Sequence, residues 1–399
     1  MNPFPILIRI AAGFVLATLA ACGGGGGGGG GVTPVVYSGI TGAAAITAFN
    51  ASTIVANIIG GSDAGTIIGG VSVESGNAAN NQATGPADIA RRLGRKPHDI
   101  AVRAIRESRT QQLLAGAAVT EGCESGSIQV SGTLNPDGTG TLSLTFINCA
   151  FAGVTINGPA TLRIDATVFI PDIVPTDFTL SFARLTLRGT TVSLSIDAGG
   201  SIRFQDMGNA LRLTMNLDEM NNITGKMRKT VNLVIDDVYD NIFFPTTLTE
   251  TLTGRVFHSD HGFVDIGPGS TFVFGPPIQL FPTSGQMLLT GATAGAGNLA
   301  IRVTALTSPP AALPATLARL ELDLDGDGAF NEIDARLLWT QLDGLVGSDL
   351  RDNDQPIPDG MHNSWETFYG LDPAVDDAAG DKDVDGQTNI QEYLAGTTP

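Results

Sequence analysis

Four acidic side chains near the C-terminus are spaced for one task, holding a hard divalent cation. Asp381, Asp383 and Asp385 alternate, Gly386 follows, and Glu392 closes a window of twelve residues. Calcium takes six to eight oxygens at roughly 2.3–2.6 Å. Asp381, Asp383 and Asp385 would each supply a carboxylate, Gly386 would permit the sharp turn, and Gln387 would offer its backbone carbonyl. Asn389 would act directly or through water, and Glu392 would give two oxygens from one side chain. Ile390, Tyr393 and Leu394 are spaced for one face of a short exit helix.

A second window opens with Asp323, Asp325 and Asp327, and places Ala329, Asn331 and Asp334 at its seventh, ninth and twelfth positions. Asp334 is one methylene shorter than Glu, so two-oxygen closure is harder and binding is expected to be weaker. Two readings of its flanks stand. Leu320, Leu322 and Leu324 alternate like a strand and would make this an acidic hairpin tip, while Phe330, Ile333, Leu337 and Leu338 are spaced for a helix. Between the windows lie Asp359 and Glu366. Setting Glu366 at the twelfth position puts Gln355 and Ile357 where ligands belong, so this site is degraded or built differently, with Asp352 and Asp354 as the available acids.

Residues 381–392 fit the EF-hand loop position by position, and residues 323–334 resemble a dockerin half-repeat, in which Asp at the twelfth position is usual. The whole of 359–399 is similar to C-terminal calcium-repeat segments of bacterial secreted proteins, themselves similar to thrombospondin type 3 and dockerin modules. The shared words are Trp365-Glu366, Gly370-Leu371-Asp372-Pro373, the acidic loop, Thr388-Asn389-x-x-Glu392-Tyr393-Leu394 and Gly396-Thr397-x-Pro399. The resemblance implies calcium as cofactor, with calcium-dependent folding or docking, and no catalysis of its own.

Charge agrees with that reading. The chain has 399 residues and a net charge of −18, of which residues 315–399 carry −15 from 19 acidic and 4 basic side chains. An acidic tail on a nearly neutral body argues for cations and against nucleic acid. His258-Ser259-Asp260-His261 is the one histidine pair with metal-like spacing, and it reads as a solvated turn. No Gly-x-Ser-x-Gly elbow, His-Glu-x-x-His or phosphate-loop Lys-Ser/Thr is present.

The elements that must carry these loops are mostly strands. Over residues 122–308 the hydrophobic period is two, as in Leu211, Leu213, Met215 and Leu217 alternating with Arg212, Thr214 and Asn216. This predicts a mainly β protein, an antiparallel meander of about ten strands forming a sandwich or curved sheet. An outer-membrane barrel would alternate too, but four Tyr and two Trp are too few for aromatic girdles. Residues 309–314 read as a Pro-rich linker and 315–399 as a small helix-and-loop calcium module. Residues 32–121 read as helical or irregular, with short helices over 43–49 and 54–59 and a longer one over 86–118 split at Pro97. Its Arg and Lys side chains read as a solvated face, with contact to lipid headgroups close to the anchor as the alternative. Cys123 and Cys149 flank two alternating runs around Asn135-Pro136-Asp137-Gly138; a turn centred on Pro136 sets the two sulfurs opposite each other, within disulfide reach.

Arg9 followed by the uncharged run from Ile10 to Ala21 suits the core of a secretory signal and is too short to span a bilayer. It ends in Leu19-Ala20-Ala21-Cys22, which resembles the lipobox of bacterial lipoproteins. The resemblance implies removal of residues 1–21, lipid attachment at Cys22 and a position at the outer membrane. Gly23–Gly31 would then form a flexible tether of about 15–18 Å. The reading of the whole is a lipid-anchored envelope protein with a calcium module, a non-catalytic binding or structural protein with a protein or glycan partner. Two alternatives are a surface hydrolase of glycans with a scattered acid pair, and a periplasmic carrier holding an apolar ligand in its sheet.

Overall fold

The computed structural model describes residues 35–59, 97, 99–105, 119–151, 154–170, 172–189, 193–197, 199–241, 245–276, 281–306, 317–339, 350, 358–361, 363–395, 397 and 399. The leader with Cys22, the glycine tether, residues 86–96 and 106–118 of the expected long helix, and the linker 309–314 lie outside the described residues.

Among the described residues one antiparallel sheet of 17 strands forms the body. The strands are β1 (Val119–Gly122), β2 (Ser125–Leu134), β3 (Gly140–Phe151), β4 (Val154–Ile170), β5 (Asp172–Phe182), β6 (Leu185–Arg188), β7 (Ser193–Ile196), β8 (Ser201–Asp206), β9 (Ala210–Asn221), β10 (Met227–Tyr239), β11 (Leu248–His258), β12 (Gly262–Ile266), β13 (Thr271–Phe274), β14 (Ser284–Ala294), β15 (Gly297–Ala305), β16 (Leu317–Asp323) and β17 (Ile333–Leu338). Most neighbours are consecutive, as a meander requires. The count exceeds the expected ten or so because several short strands share a partner. β5 and β6 pair with different stretches of β4, β7 and β8 with β9, and β12 and β13 with β11. The sheet also runs on past the expected linker, since β15 pairs with β16 and β16 with β17.

Alternation sorts the two faces. Leu213, Met215 and Leu217 of β9 are buried with Leu233 and Ile235 of β10, while Arg212 on the other face forms a forked ion pair with Asp236 across the strands. Arg203 with Asp177 and Arg255 with Asp265 repeat the device. Each such pair stabilises little in water, but opposite charges directly across a ladder, as in Arg212–Asp236 and Arg255–Asp265, or diagonally across it, as in Arg203–Asp177, favour the observed register.

The apolar face encloses the chain's own N-terminal segment. Helix α1 (Ala51–Ile59) buries eight of its nine residues, and a helix buried on nearly all sides must be surrounded. The helical residues 99–105 add Ile100, Ala101, Ala104 and Ile105 to the same core. Residues 43–49 are not helical as expected. Ala43 bridges Phe263 in parallel, Ala44 N–H donates to Phe263 O at 2.7 Å, and Ala292 N–H donates to Ala44 O at 2.7 Å. Small side chains here let the backbone approach the sheet and satisfy its open carbonyl and amide groups, which outweighs helix propensity.

Cys123 and Cys149 form a disulfide. The turn, however, is centred one residue later than expected, because Leu134 faces Gly140 and Thr133 faces Thr141. Cys123 lies beyond β1, in the link to β2, and irregularities at Ser125/Ser127 and Phe146/Cys149 bring it to Cys149 with Cα atoms 5.4 Å apart. The bridge therefore ties the β1–β2 link to β3.

After the sheet come helices α2 (Asn363–Tyr369) and α3 (Asn389–Ala395). Met361, Trp365 and Tyr393 form a second small core with Leu306, Tyr369, Leu371 and Ile390 packed around it. Among the described residues no helix is long and apolar enough to cross a membrane.

Candidate metal-binding loops

The segment before α3 folds as a tight acidic coil. Asp385 N–H donates to Asp381 Oδ1 at 3.2 Å and Asp383 Oδ1 at 3.1 Å, and Gly386 N–H donates to Asp381 Oδ2 at 3.0 Å. Gly386 has φ of 97°, a conformation that favours glycine. This turn gathers Asp381, Asp383 and Asp385 so that an oxygen from each lies within 4.8 Å of the others. Such spacing suits ligands of one cation. All three are exposed, whereas Glu392 on the first turn of α3 is only 1% exposed, and its Oε2 meets no hydrogen-bond partner. Burial pushes the Glu392 carboxyl above its ordinary value, and the negative charges of Asp383, Asp385 and Asp381 push it further. A buried carboxylate facing three others is costly unless a cation joins them.

Asn389 also braces the loop. Asn389 is buried, its Nδ2 donating to Asp377 O at 2.8 Å and its Oδ1 accepting from Lys382 N–H at 3.3 Å. It clamps the loop's entry to its exit. Gln387 is exposed, and its N–H donates to Asp385 Oδ1 at 2.8 Å.

Residues 323–334 form a hairpin tip between β16 and β17, so of the two readings of the flanks the strand reading describes them. Asp323 is buried and caps the tip itself, its Oδ1 accepting from Gly326 N–H at 2.7 Å and its Oδ2 from Gly328 N–H at 2.9 Å. Asp325, Asp327 and Glu332 join it in a group whose oxygens lie within 4.8 Å of one another. Asp334 falls inside β17, its backbone opposite Glu321. Ala329 N–H donates to Asp327 Oδ1 at 2.7 Å, and Asn331 is exposed on the way into β17. Glu332 was not singled out by spacing alone; the strand alternation through Leu320 and Leu322 was the signal that sets it at the tip.

The middle group is built differently from any alignment of the sequence. Asp359, Glu366 on α2 and Asp377 come within 4.8 Å of one another, and Asp377 Oδ1 is sealed from solvent without a hydrogen-bond partner. Gln355, Ile357, Asp352 and Asp354 lie outside the described residues. Asp377 was missed because it belongs to the next stretch of chain. Its backbone is held by Asn389, so the middle group and the 381–392 coil share a support.

Two further sites bear on the alternatives. His258 and His261 stack with ring centroids 4.6 Å apart beside a cavity of about 440 Å³ lined also by Glu219, Arg228, Lys226 and Asp260. Burial, with the nearby His261 as a second cause, lowers the His258 pKa from 6.5 to about 4. Both rings are half-buried and stacked on each other at the cavity. Asp237 and Glu250 face each other across β10 and β11, but both are buried among core residues, closed to a polymer substrate.

No known protein family matches this chain, and no curated protein matches it.

Proposed function

We propose that the protein is a lipid-anchored envelope protein whose C-terminal segment binds calcium, and that it serves as a non-catalytic binding or structural protein. The observation that carries the calcium reading is Glu392, a buried carboxylate with an unpartnered oxygen, near enough to Asp383, Asp385 and Asp381 for their charges to act on it. Asp381, Asp383, Asp385 and Glu392 would hold the ion, with the Gln387 carbonyl as a fifth donor and Asn389 bracing the loop. Calcium neutralises a segment of net −15, so its binding energy becomes folding energy of that segment. Affinity of about 10⁻⁴–10⁻³ M would match the calcium concentrations outside cells.

The acidic group at Asp323, Asp325, Asp327 and Glu332 is a weaker cation site. Asp323, its one buried member, already spends both oxygens on backbone N–H groups. We favour this reading over the carrier because α1 packs on the apolar face of the sheet, and over the hydrolase because the facing acids Asp237 and Glu250 are buried. The partner is a protein or glycan, and the site of action is the outer membrane.

Limited proteolysis of the full chain with and without calcium tests the central reading. Cleavage within residues 359–399 is expected to slow at millimolar calcium, and unchanged cleavage counts against the reading. Cys22→Ser tests the anchor. The variant is expected to leave membranes on cell fractionation, and retention after a high-salt wash contradicts lipid attachment.

A further inference from the structure

Helix α3 has two working sides. Glu392, in its first turn, lies within reach of the charges of Asp383, Asp385 and Asp381, while the next two residues are gripped from the sheet. Arg336, on β17, is 1% exposed; its guanidinium lies 4.4 Å from the centre of the Tyr393 ring, and its Nη2 donates to Leu394 O at 3.0 Å. Tyr393 in turn meets Trp365 of α2 edge-on at 5.1 Å. On β17 the neighbouring Ala335 and Leu337 point into the main core, so Arg336 emerges on the opposite face, under α3. The last strand is thus covered on both sides, by the main core and by the acidic module.

We infer that Arg336 couples occupancy of the calcium loop to the stability of the sheet's last strands, making the C-terminal module a calcium-dependent clasp on β17. This rests on the calcium reading above. A buried guanidinium needs its acceptors and its aromatic face. One acceptor is Leu394 O and the aromatic face is the Tyr393 ring, and both keep their place only while α3 is formed. Calcium binding at Glu392 fixes the first turn of α3 and so fixes the partners of Arg336. By linkage, what Arg336 adds to α3 it must also add to calcium affinity. The sequence alone concealed this, since Arg336 sits in an alternating strand where an outward charge would ordinarily meet water.

The test uses the full chain, with calcium alone as the probe. Calcium affinity is measured by competition with a chromophoric chelator for the wild type, Arg336→Met, and Arg212→Met as a control that removes a distant outer-face ion pair. Arg336→Met is expected to bind calcium at least about fivefold more weakly, the lower end of ordinary coupling between sites, and Arg212→Met to bind as the wild type does. Amide exchange followed by mass spectrometry reports the reverse direction in the wild-type protein. Peptides covering 333–338 are expected to gain protection when calcium is added, and this measurement decides the matter should Arg336→Met not fold. Equal calcium affinity in a folded Arg336→Met, or no gain of protection in β17, overturns the coupling while leaving the calcium site intact. Absence of calcium binding by the wild type overturns both.

Discussion

Removing the Cys123–Cys149 bridge has a consequence whose size follows from its position. The two cysteines are 26 residues apart in sequence, and cross-linking a loop of that length removes unfolded-state entropy worth about 3.5 kcal/mol at room temperature. Cys149 is buried in the main core, and Cys123 packs against that core from the β1–β2 link. The double variant Cys123→Ala, Cys149→Ala keeps the small apolar volume and removes only the tether. Urea unfolding is expected to show a loss of about 3 kcal/mol relative to the oxidised wild type. Because the bridge fastens the link after β1, a four-residue strand, amide exchange should rise over residues 119–122 through local opening, in addition to the rise that the lower global stability brings to core strands such as β9 and β10. A loss below about 1 kcal/mol would refute the reasoning that the bridge acts by closing this loop.

Further predictions concern the core and the titrating groups. Leu320→Ala, at a fully buried position of β16, is expected to cost about 3 kcal/mol in denaturant unfolding; a loss under about 1 kcal/mol would show that β16 is not part of the main core. His258 has a folded pKa of about 4 against an ordinary 6.5. Its contribution to stability is therefore complete above pH 6.5 and lost as the pH falls from there towards 4; His258→Phe should flatten that stretch of the stability–pH curve, and an unchanged curve contradicts a buried neutral ring. Glu392 has the opposite sign. Its raised folded pKa makes the calcium-free module most stable at low pH, with that stability lost as the pH rises through the folded value. Proteolysis of 359–399 without calcium should accordingly be slower near pH 4.5 than at pH 7.5, and Glu392→Gln should remove the difference.

What the sequence disclosed depended on how local the cause was. Strand alternation in β9 and β10 is a property of a few consecutive residues, and it foretold both the antiparallel sheet and its polar outer face. The cysteine pair was legible because two strands and a turn lie between its members, although the bulges that move the turn by one residue are not. The non-helical course of residues 43–49 was hidden, because Ala43 and Ala44 pair with open backbone groups in β12 and β14, more than two hundred residues away. The same holds for the acidic groups. The coil of Asp381, Asp383 and Asp385 is closed by its own backbone, so spacing revealed it. Asp377 joins Asp359 and Glu366 only after the chain turns back through Gly370 and Pro373, and Glu332 joins its group only if the flanks are strands.

The most direct test of the account is a calorimetric calcium titration of the full chain at neutral pH, with Glu392→Gln and Asp334→Asn beside the wild type. The account predicts saturable binding with affinity of about 10⁻⁴–10⁻³ M, weakened at least about tenfold in Glu392→Gln, which loses a charge and a two-oxygen ligand, and nearly unchanged in Asp334→Asn, whose backbone belongs to β17. No heat of binding at calcium about tenfold above that range, or equal binding by wild type and Glu392→Gln, would contradict it.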